Sequence, residues 1–151
     1  MTKFLLTLHV LAAIVAVGPV TVAASMFPPA ARRAHAEEAG VGTVRLLHRI
    51  CRVYAGVGVA VPVLGIATGA AMGVLGDAWL TTSMALTAAA AGVLAAFVLP
   101  RQGELLEELA GQGGVERRST VQLAMFTGIF NLLWATVTVL MIVRPGSTTG
   151  A

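Results

Sequence analysis

Residues 53–75 read VYAGVGVAVPVLGIATGAAMGVL, residues 78–99 read AWLTTSMALTAAAAGVLAAFVL, and Gly76 and Asp77 lie between them. Neither stretch contains a charged side chain. About 20 helical residues cross a hydrocarbon core about 30 Å thick, so each stretch is long enough to span a bilayer once. The short connection predicts that the two spans form an antiparallel helical hairpin.

Two further charge-free stretches, residues 4–24 and 121–143, precede and follow this pair. All basic and acidic residues lie outside the four stretches, and only 11% of the chain is charged, against about 25% in an average soluble domain. The sequence therefore predicts an all-α integral membrane four-helix bundle with antiparallel up-down spans. We expect residues 1–151 to form this single membrane domain, because the residues outside the spans are too few for a second one.

The basic residues are concentrated in two of the segments outside the spans. They are Arg32, Arg33, Arg45, Arg49 and Arg52 between the first two spans, and Arg101, Arg117 and Arg118 between the last two. Cytoplasmic loops of membrane proteins carry an excess of Lys and Arg. This rule predicts that the loops, residues 27–50 and 100–120, face the cytoplasm and that both termini face outward. The pI near 10.0 then reflects membrane topology and not nucleic-acid binding.

The composition also bears on where the protein resides. The only lysine is Lys3, all other cations are arginine, and Ala, Gly and Val are abundant, as is typical of a GC-rich bacterial genome. We therefore expect a multi-pass protein of the bacterial cytoplasmic membrane. Cleavage of the first span as a signal peptide would invert the distribution of positive charge, so we expect that span to be retained.

Small residues recur every four positions in the two middle spans. Gly65, Gly69 and Gly73 lie in the second span, and Ala88, Gly92 and Ala96 lie in the third. Small residues on one helix face let two backbones approach closely. The spacing predicts packing of the second span on the third; lining a pore and pairing of two protomers are the alternatives.

Few polar residues lie within the spans, and each needs a partner or a purpose. Asn131 is near the middle of the fourth span and predicts an interhelical hydrogen bond. His48, beside the arginines before the second span, and His35, in a loop, require no special function. Cys51 cannot form an intramolecular disulfide and is expected to be a small buried residue. His9, in the outer half of the first span, is the candidate site residue.

Three methionines share the outer half of the spans with this histidine. The candidate metal ligands are His9, Met72, Met84 and Met141, one on each span. Thioether and imidazole ligands suit Cu(I). A haem joining His9 to His48 is excluded because the two lie about 20 Å apart along the membrane normal, but haem with His9 and a Met ligand is open. The opposing interpretation is that the methionines fill gaps between helices.

Residues 8–14, LHVLAAI, resemble the opening helix of small bacterial membrane proteins related to the CopD copper-resistance domain. The four-span plan and the Leu47-His48-Arg49 sequence at the start of the second span are also similar. The resemblance implies a transmembrane role in copper handling, with the first-helix histidine of that group carried over to His9. This chain departs from the group's pattern at residues 16–19, where AVGP replaces the usual Trp and paired Gly.

The function expected from the sequence is that of an accessory or scaffold subunit of a membrane complex. The chain has no paired carboxylates, no nucleophile with a neighbouring base and no phosphate-binding loop, so we do not expect an enzyme. No cofactor is required by this interpretation; copper or haem is the alternative. A small transporter is a second alternative, opposed by the absence of charged residues from the spans. The expected partners are the lipid bilayer and either a membrane protein or a second copy of this chain.

Overall fold

The computed structural model describes residues 1–37 and 39–147, and the regular secondary structure in these ranges is helical. The helices are α1 (Thr2–Arg33), α2 (Gly40–Val57), α3 (Ala60–Met72), α4 (Ala78–Val93), α5 (Leu99–Ala110) and α6 (Arg117–Val143), with a π-helical segment at Leu94–Val98. α2 and α3 follow one another in one span, as do α4, the π segment and α5. These four spans are long and apolar enough to cross a membrane. The predicted all-α four-helix bundle is confirmed.

The helices extend beyond the charge-free stretches at the end of the bundle where α1 connects to α2 and α5 connects to α6. We call this the loop end, and the opposite end, with Met1 and Val143, the terminal end. α1 continues through Pro28 and Pro29 to Arg33, and the third span continues through Pro100 to Ala110. These prolines therefore lie inside helices, and most of residues 27–50 and 100–120, the predicted connecting segments, is helical.

Apolar burial explains why these segments are helical. Phe27 and Ala31 of α1, Val44 of α2 and Leu105 of α5 are all buried in the helical extensions. Burying one large apolar side chain is worth about 1.5–3 kcal/mol, whereas a proline inside a helix costs about 3 kcal/mol. Several buried side chains therefore offset the cost of the prolines.

Pro62 and Pro100 coincide with irregular helix geometry. Pro62 has no N–H for the carbonyl of Gly58, and the second span is interrupted there: the Gly58 carbonyl instead accepts a bond from the Val61 N–H at 3.1 Å. The π segment comes directly before Leu99 and Pro100, and the Leu99 N–H bonds to the Leu94 carbonyl five residues back. The charge-free stretches alone did not predict either irregularity.

The turn between α3 and α4 is longer than the two residues predicted. Gly73 ends α3 in the left-handed conformation (φ 70°), and the Val74 N–H bonds to the Gly69 carbonyl at 3.1 Å. This is the Schellman arrangement in which glycine commonly ends a helix. Gly73 therefore ends the helix and does not pack against a neighbouring span, contrary to the prediction.

The second and third spans meet through α2 and α5 near the loop end, and not through the predicted small-residue seam. α1 packs against α2, α3 and α6, and α6 packs also against α4, while α3 and α4 make few contacts with each other. Gly65 faces His9 of α1, and a Cβ on Gly92 would have no atom within 4 Å. The predicted seam between the second and third spans is wrong in this respect, although Leu80 of α4 lies over Gly69 beside the turn.

The main hydrophobic cluster lies in the half of the bundle nearer the loop end. Every span contributes to it: Val20, Ala24, Phe27 and Ala31; Val44, Leu47 and Cys51; Ala90, Leu94, Val98, Leu105 and Leu109; Leu123 and Phe130. His35 joins the two connections at this end, since its ring bonds to the Gly113 carbonyl at 2.8 Å. The bundle is thus closed by packing at the loop end and more open between α3 and α4 at the terminal end.

Candidate functional site

His9 lies in the third turn of α1, half-buried against α3. Its Nδ1 is 2.9 Å from the carbonyl oxygen of Val61. A carbonyl can only accept, so Nδ1 carries the hydrogen and donates it. A Cβ added to Gly65 would stand 3.0 Å from Cε1 of the ring, so the glycine provides the space that the imidazole occupies. In the neutral ring, Nε2 then holds the free lone pair.

The three candidate methionine ligands lie on the other three spans. Met72 is the last residue of α3, Met84 is in the second turn of α4, and Met141 is in the last turn of α6. At 1.5 Å per residue, His9 and Met84 lie about 10 Å in from the ends of their helices, whereas Met72 and Met141 lie at theirs. Met84 is 41% exposed. α1 packs on α3, and α4 packs on α6, but α3 and α4 make few contacts with each other. A metal site formed jointly by His9, Met72, Met84 and Met141 therefore stays a prediction.

Polar and aromatic side chains meet near the turn at the terminal end. The Trp79 indole N–H donates to a carboxylate oxygen of Asp77 at 3.0 Å, and the Arg144 guanidinium lies 5.6 Å from the centre of the Trp79 ring. A cation over an aromatic face is attracted by about 0.5–1 kcal/mol or more. Trp79 thereby links the start of α4 to the end of α6. Tryptophan is common at membrane boundaries, so the closeness of Trp79 to Asp77 in the sequence could have indicated this contact region.

A polar network lies buried at the loop end between α2 and α5. Gln102 is fully buried; its side-chain oxygen is 3.1 Å from Nδ1 of His48, and its side-chain nitrogen donates to Sγ of Cys51 at 3.5 Å. Gln102 was not among the predicted site residues, although its spacing from Leu105 and Leu109 places the three residues on one helix face. Cys51 is buried, as predicted.

The exposed side of α2 carries a row of cations. Arg45, Arg49 and Arg52 are exposed and border a shallow concavity that His48 also lines. Their spacing of three to four residues places them on one helix face. This face adjoins the charge-free part of the second span, where positive charge is expected at a membrane boundary. The geometry is that of a membrane-flanking arginine cluster.

A second concavity, which we call the groove, lies between α1 and α6. It is lined by Ser25, Pro28, Pro29, Arg32, Ala124, Thr127, Gly128 and Asn131. The Asn131 amide nitrogen donates to the Ser25 hydroxyl oxygen at 3.1 Å. The predicted interhelical hydrogen bond of Asn131 is thus confirmed, and it joins the first span to the fourth.

One face of the third span is made of small residues and is exposed. We call it the small-residue face: Ala85, Ala88, Ala89, Gly92, Ala95 and Ala96. Elsewhere the exposed surface of the spans carries large aliphatic side chains, such as Ile14, Leu132 and Ile142. The small residues of this span lie on one helix face, as their spacing predicted, but that face points away from the other three spans.

The fold is that of a multi-pass helical membrane protein, with four spans and short connections. No family model, curated protein or solved structure matches this chain. Within residues 1–37 and 39–147, no three His, Cys, Asp or Glu side chains come close enough to hold a metal ion together. A metal site centred on His9 would therefore draw on methionine sulfur.

Proposed function

We propose that this protein is an accessory subunit of a membrane complex in the bacterial cytoplasmic membrane, with the loop end in the cytoplasm. The small-residue face of the third span is its contact with the partner helix. The exposure of this face is the observation that carries the proposal. Small residues favour close backbone approach between helices in lipid. All six residues of this face are exposed, and a Cβ on Gly92 would have no atom of the described chain within 4 Å.

The physical reason is that lipid provides no hydrophobic drive for helix association. Helices in a membrane associate through van der Waals contact, which grows as the backbones come closer. At Gly92 an approaching helix would meet no side chain at all. At Leu132, which is 71% exposed on α6, an isobutyl group keeps a neighbour at a distance. The two positions therefore make a matched pair for a test.

The test is cysteine crosslinking in native membranes, with Cys51→Ser as the background. Gly92→Cys is expected to give a crosslinked product with a short maleimide–diazirine reagent, whose photoactivated end needs no thiol in the partner, and Leu132→Cys is expected to give little. A product of twice the monomer mass identifies a second copy of this chain; any other mass identifies a different membrane protein. Equal crosslinking at both positions, or none at Gly92→Cys, overturns the proposal.

A second candidate function is Cu(I) binding at His9, and the Val61 hydrogen bond favours it. Metal-ligating histidines usually donate the other ring N–H to a carbonyl or carboxylate, which fixes the tautomer and the ring orientation. His9 has this arrangement, with Nε2 left to bind a ligand. The resemblance of residues 8–14 to CopD-related proteins supports the same candidate.

Copper titration of the purified protein under reducing conditions tests this candidate. His9→Gln is expected to abolish binding, and Met72→Leu, Met84→Leu and Met141→Leu are each expected to weaken it, because Leu preserves volume but lacks the sulfur donor. His35→Gln is the control, since His35 lies in the connection after α1. Unchanged binding in His9→Gln contradicts the candidate. An absorption spectrum of the same preparation tests the haem alternative.

A further inference from the structure

The cations on the exposed side of α2 form a charged surface without a counterion. The concavity there, which we call the arginine concavity, is lined by Arg45, His48, Arg49, Arg52 and Val53. Its three arginines are exposed, and within residues 1–37 and 39–147 none of them has an acidic partner. They span seven residues, which is about 10 Å of helix, so their charges repel one another. This surface therefore favours an anion with more than one negative charge.

His48 contributes a different group to the same surface. Its Nδ1 is 3.1 Å from the side-chain oxygen of Gln102, which can only accept, so Nδ1 carries the hydrogen. In the neutral ring Nε2 then has a free lone pair. His48 follows Arg45 by three residues and precedes Arg52 by four, so the ring lies between two arginines on one helix face. The arginine concavity thus has cations on both sides of one hydrogen-bond acceptor.

The arginine concavity lies where the second span enters the apolar part of the membrane. The charge-free stretch begins at Val53, directly after Arg52, and Val53, Gly56 and Val57 are exposed. A Cβ on Gly56 would have no atom within 4 Å, so an acyl chain can lie directly on the helix there. Side chains of a helix lean toward its N-terminus, so Arg52 leans toward His48 and the loop end. An anion that fits this position has a charged end and an apolar end, as a phospholipid has.

We propose that the arginine concavity binds diphosphatidylglycerol (cardiolipin), a phospholipid whose two phosphates are joined by a glycerol with a free hydroxyl. One phosphate pairs with Arg45 and Arg49 and the other with Arg52, since a guanidinium binds phosphate through two N–H groups. The bridging hydroxyl donates to Nε2 of His48. The acyl chains run toward the terminal end over the exposed apolar surface that begins at Val53. This site is on the second span and is independent of the partner contact proposed on the third.

A lipid with one phosphate matches the arginine concavity less well. Phosphatidylglycerol carries a single negative charge, so it leaves two of the three arginines without a counterion. Its headgroup hydroxyls lie beyond the phosphate and not between two phosphates. One molecule therefore cannot pair with Arg45 and Arg52 while it donates to the His48 ring between them.

Lipid titration of the full chain in a nonionic detergent tests the proposal, with the shift of the thermal unfolding midpoint as the measure of binding. Diphosphatidylglycerol is expected to raise the midpoint saturably, and phosphatidylglycerol at equal phosphate concentration is expected to raise it much less. The double variant Arg49→Gln/Arg52→Gln should weaken the apparent affinity about tenfold. The matched control, Arg117→Gln/Arg118→Gln, removes the same charge at the start of α6 and should stay within twofold, because neither residue lines the arginine concavity.

The hydroxyl contact is tested with a diphosphatidylglycerol whose bridging glycerol lacks its hydroxyl. The unmodified protein is expected to bind this deoxy lipid about fivefold more weakly. His48→Asn keeps an amide N–H near the position of Nδ1, for the bond with Gln102, but has no acceptor at the position of Nε2. This variant should therefore bind the two lipids equally. Glycerol bisphosphate, which has the same headgroup without acyl chains, is expected to shift the midpoint little.

The results that overturn the proposal are distinct. Equal shifts with diphosphatidylglycerol and phosphatidylglycerol, or equal losses of affinity in the two double variants, would show a general response to charge. Equal binding of the deoxy lipid by the unmodified protein would exclude the contact with His48. A shift with glycerol bisphosphate as large as that with the lipid would assign the site to a soluble anion. Because Arg49 and Arg52 are exposed, the lipid-free midpoint of their double variant should not fall, which separates lost affinity from lost folding.

Discussion

The imidazole of His9 occupies the space above Gly65, and its Nδ1 donates to the carbonyl of Val61 one turn earlier on the same helix. A histidine of the first span thus fits a glycine of the second. Gly65, one of the three glycines predicted to pack the second span on the third, packs instead against the first. This pairing joins α1 to α3 just beyond the helix interruption at Gly58.

Replacing Gly65 should therefore destabilise the protein. In Gly65→Val the new side chain meets the His9 ring, and overpacking of this kind costs roughly 1–3 kcal/mol. Gly56→Val, in the same span, has open space at its Cβ and should change stability little. The measurement is the thermal unfolding midpoint in detergent. Similar midpoints for both variants would show that His9 does not pack on Gly65.

The buried amide of Gln102 should contribute to stability at the loop end. Gln102→Leu removes the bonds to His48 and Cys51, and we expect a loss of about 1–2 kcal/mol. Gln122→Leu is the control, because Gln122 is half-buried and makes no side-chain hydrogen bond within the described residues. Chemical denaturation of both variants tests this. An equal effect at the two positions would argue against the network.

Cys51 should be unreactive in the folded protein, because its side chain is fully buried. We expect a maleimide to label it slowly in mild detergent and completely after denaturation in SDS. Mass spectrometry of the labelled chain gives the modified fraction. As a reference for an accessible thiol, Gly114→Cys in the Cys51→Ser background should react quickly under the same mild conditions. Rapid native labelling of Cys51 would contradict the packing of α2 on α5.

The orientation of the chain is testable with two exposed positions. In the Cys51→Ser background, Gly114→Cys lies in the connection between α5 and α6, and Pro145→Cys follows α6. The distribution of arginine predicts that Pro145→Cys reacts with a membrane-impermeant maleimide in intact cells, whereas Gly114→Cys reacts only after lysis. The reverse pattern would place the loop end outside.

The spans were predictable because charge is strongly excluded from the membrane. Three of the charge-free stretches each lie within one observed span, and residues 53–75 run three residues past the end of theirs at Met72. The helical extensions had a signal in the spacing of Phe27, Ala31 and Ala34 and of Leu105 and Leu109. Pro28, Pro29 and Pro100 weaken this signal, because proline usually ends a helix in a soluble protein. Burial of apolar side chains at the loop end outweighs the tendency of proline to end a helix, so these segments stay helical.

The choice of neighbouring helices was not predictable from spacing. Gly65 and Gly92 both lie in small-residue patterns, yet one faces His9 and the other faces outward. A pattern gives the face of a helix but not the helix that meets it. The same limit applies to Thr127, since sequence identifies a hydroxyl but not the direction in which it points. The groove therefore required the three-dimensional arrangement of α1 and α6.

The composition of the hydrophobic cluster has a consequence for the order of assembly during synthesis. Phe27, Val44, Leu105 and Leu123 come from four different spans and share one cluster. No nascent chain that lacks the fourth span can complete this packing, although each apolar helix can enter the membrane by itself. The earlier helices must therefore wait, inserted but incompletely packed, until the ribosome has delivered α6.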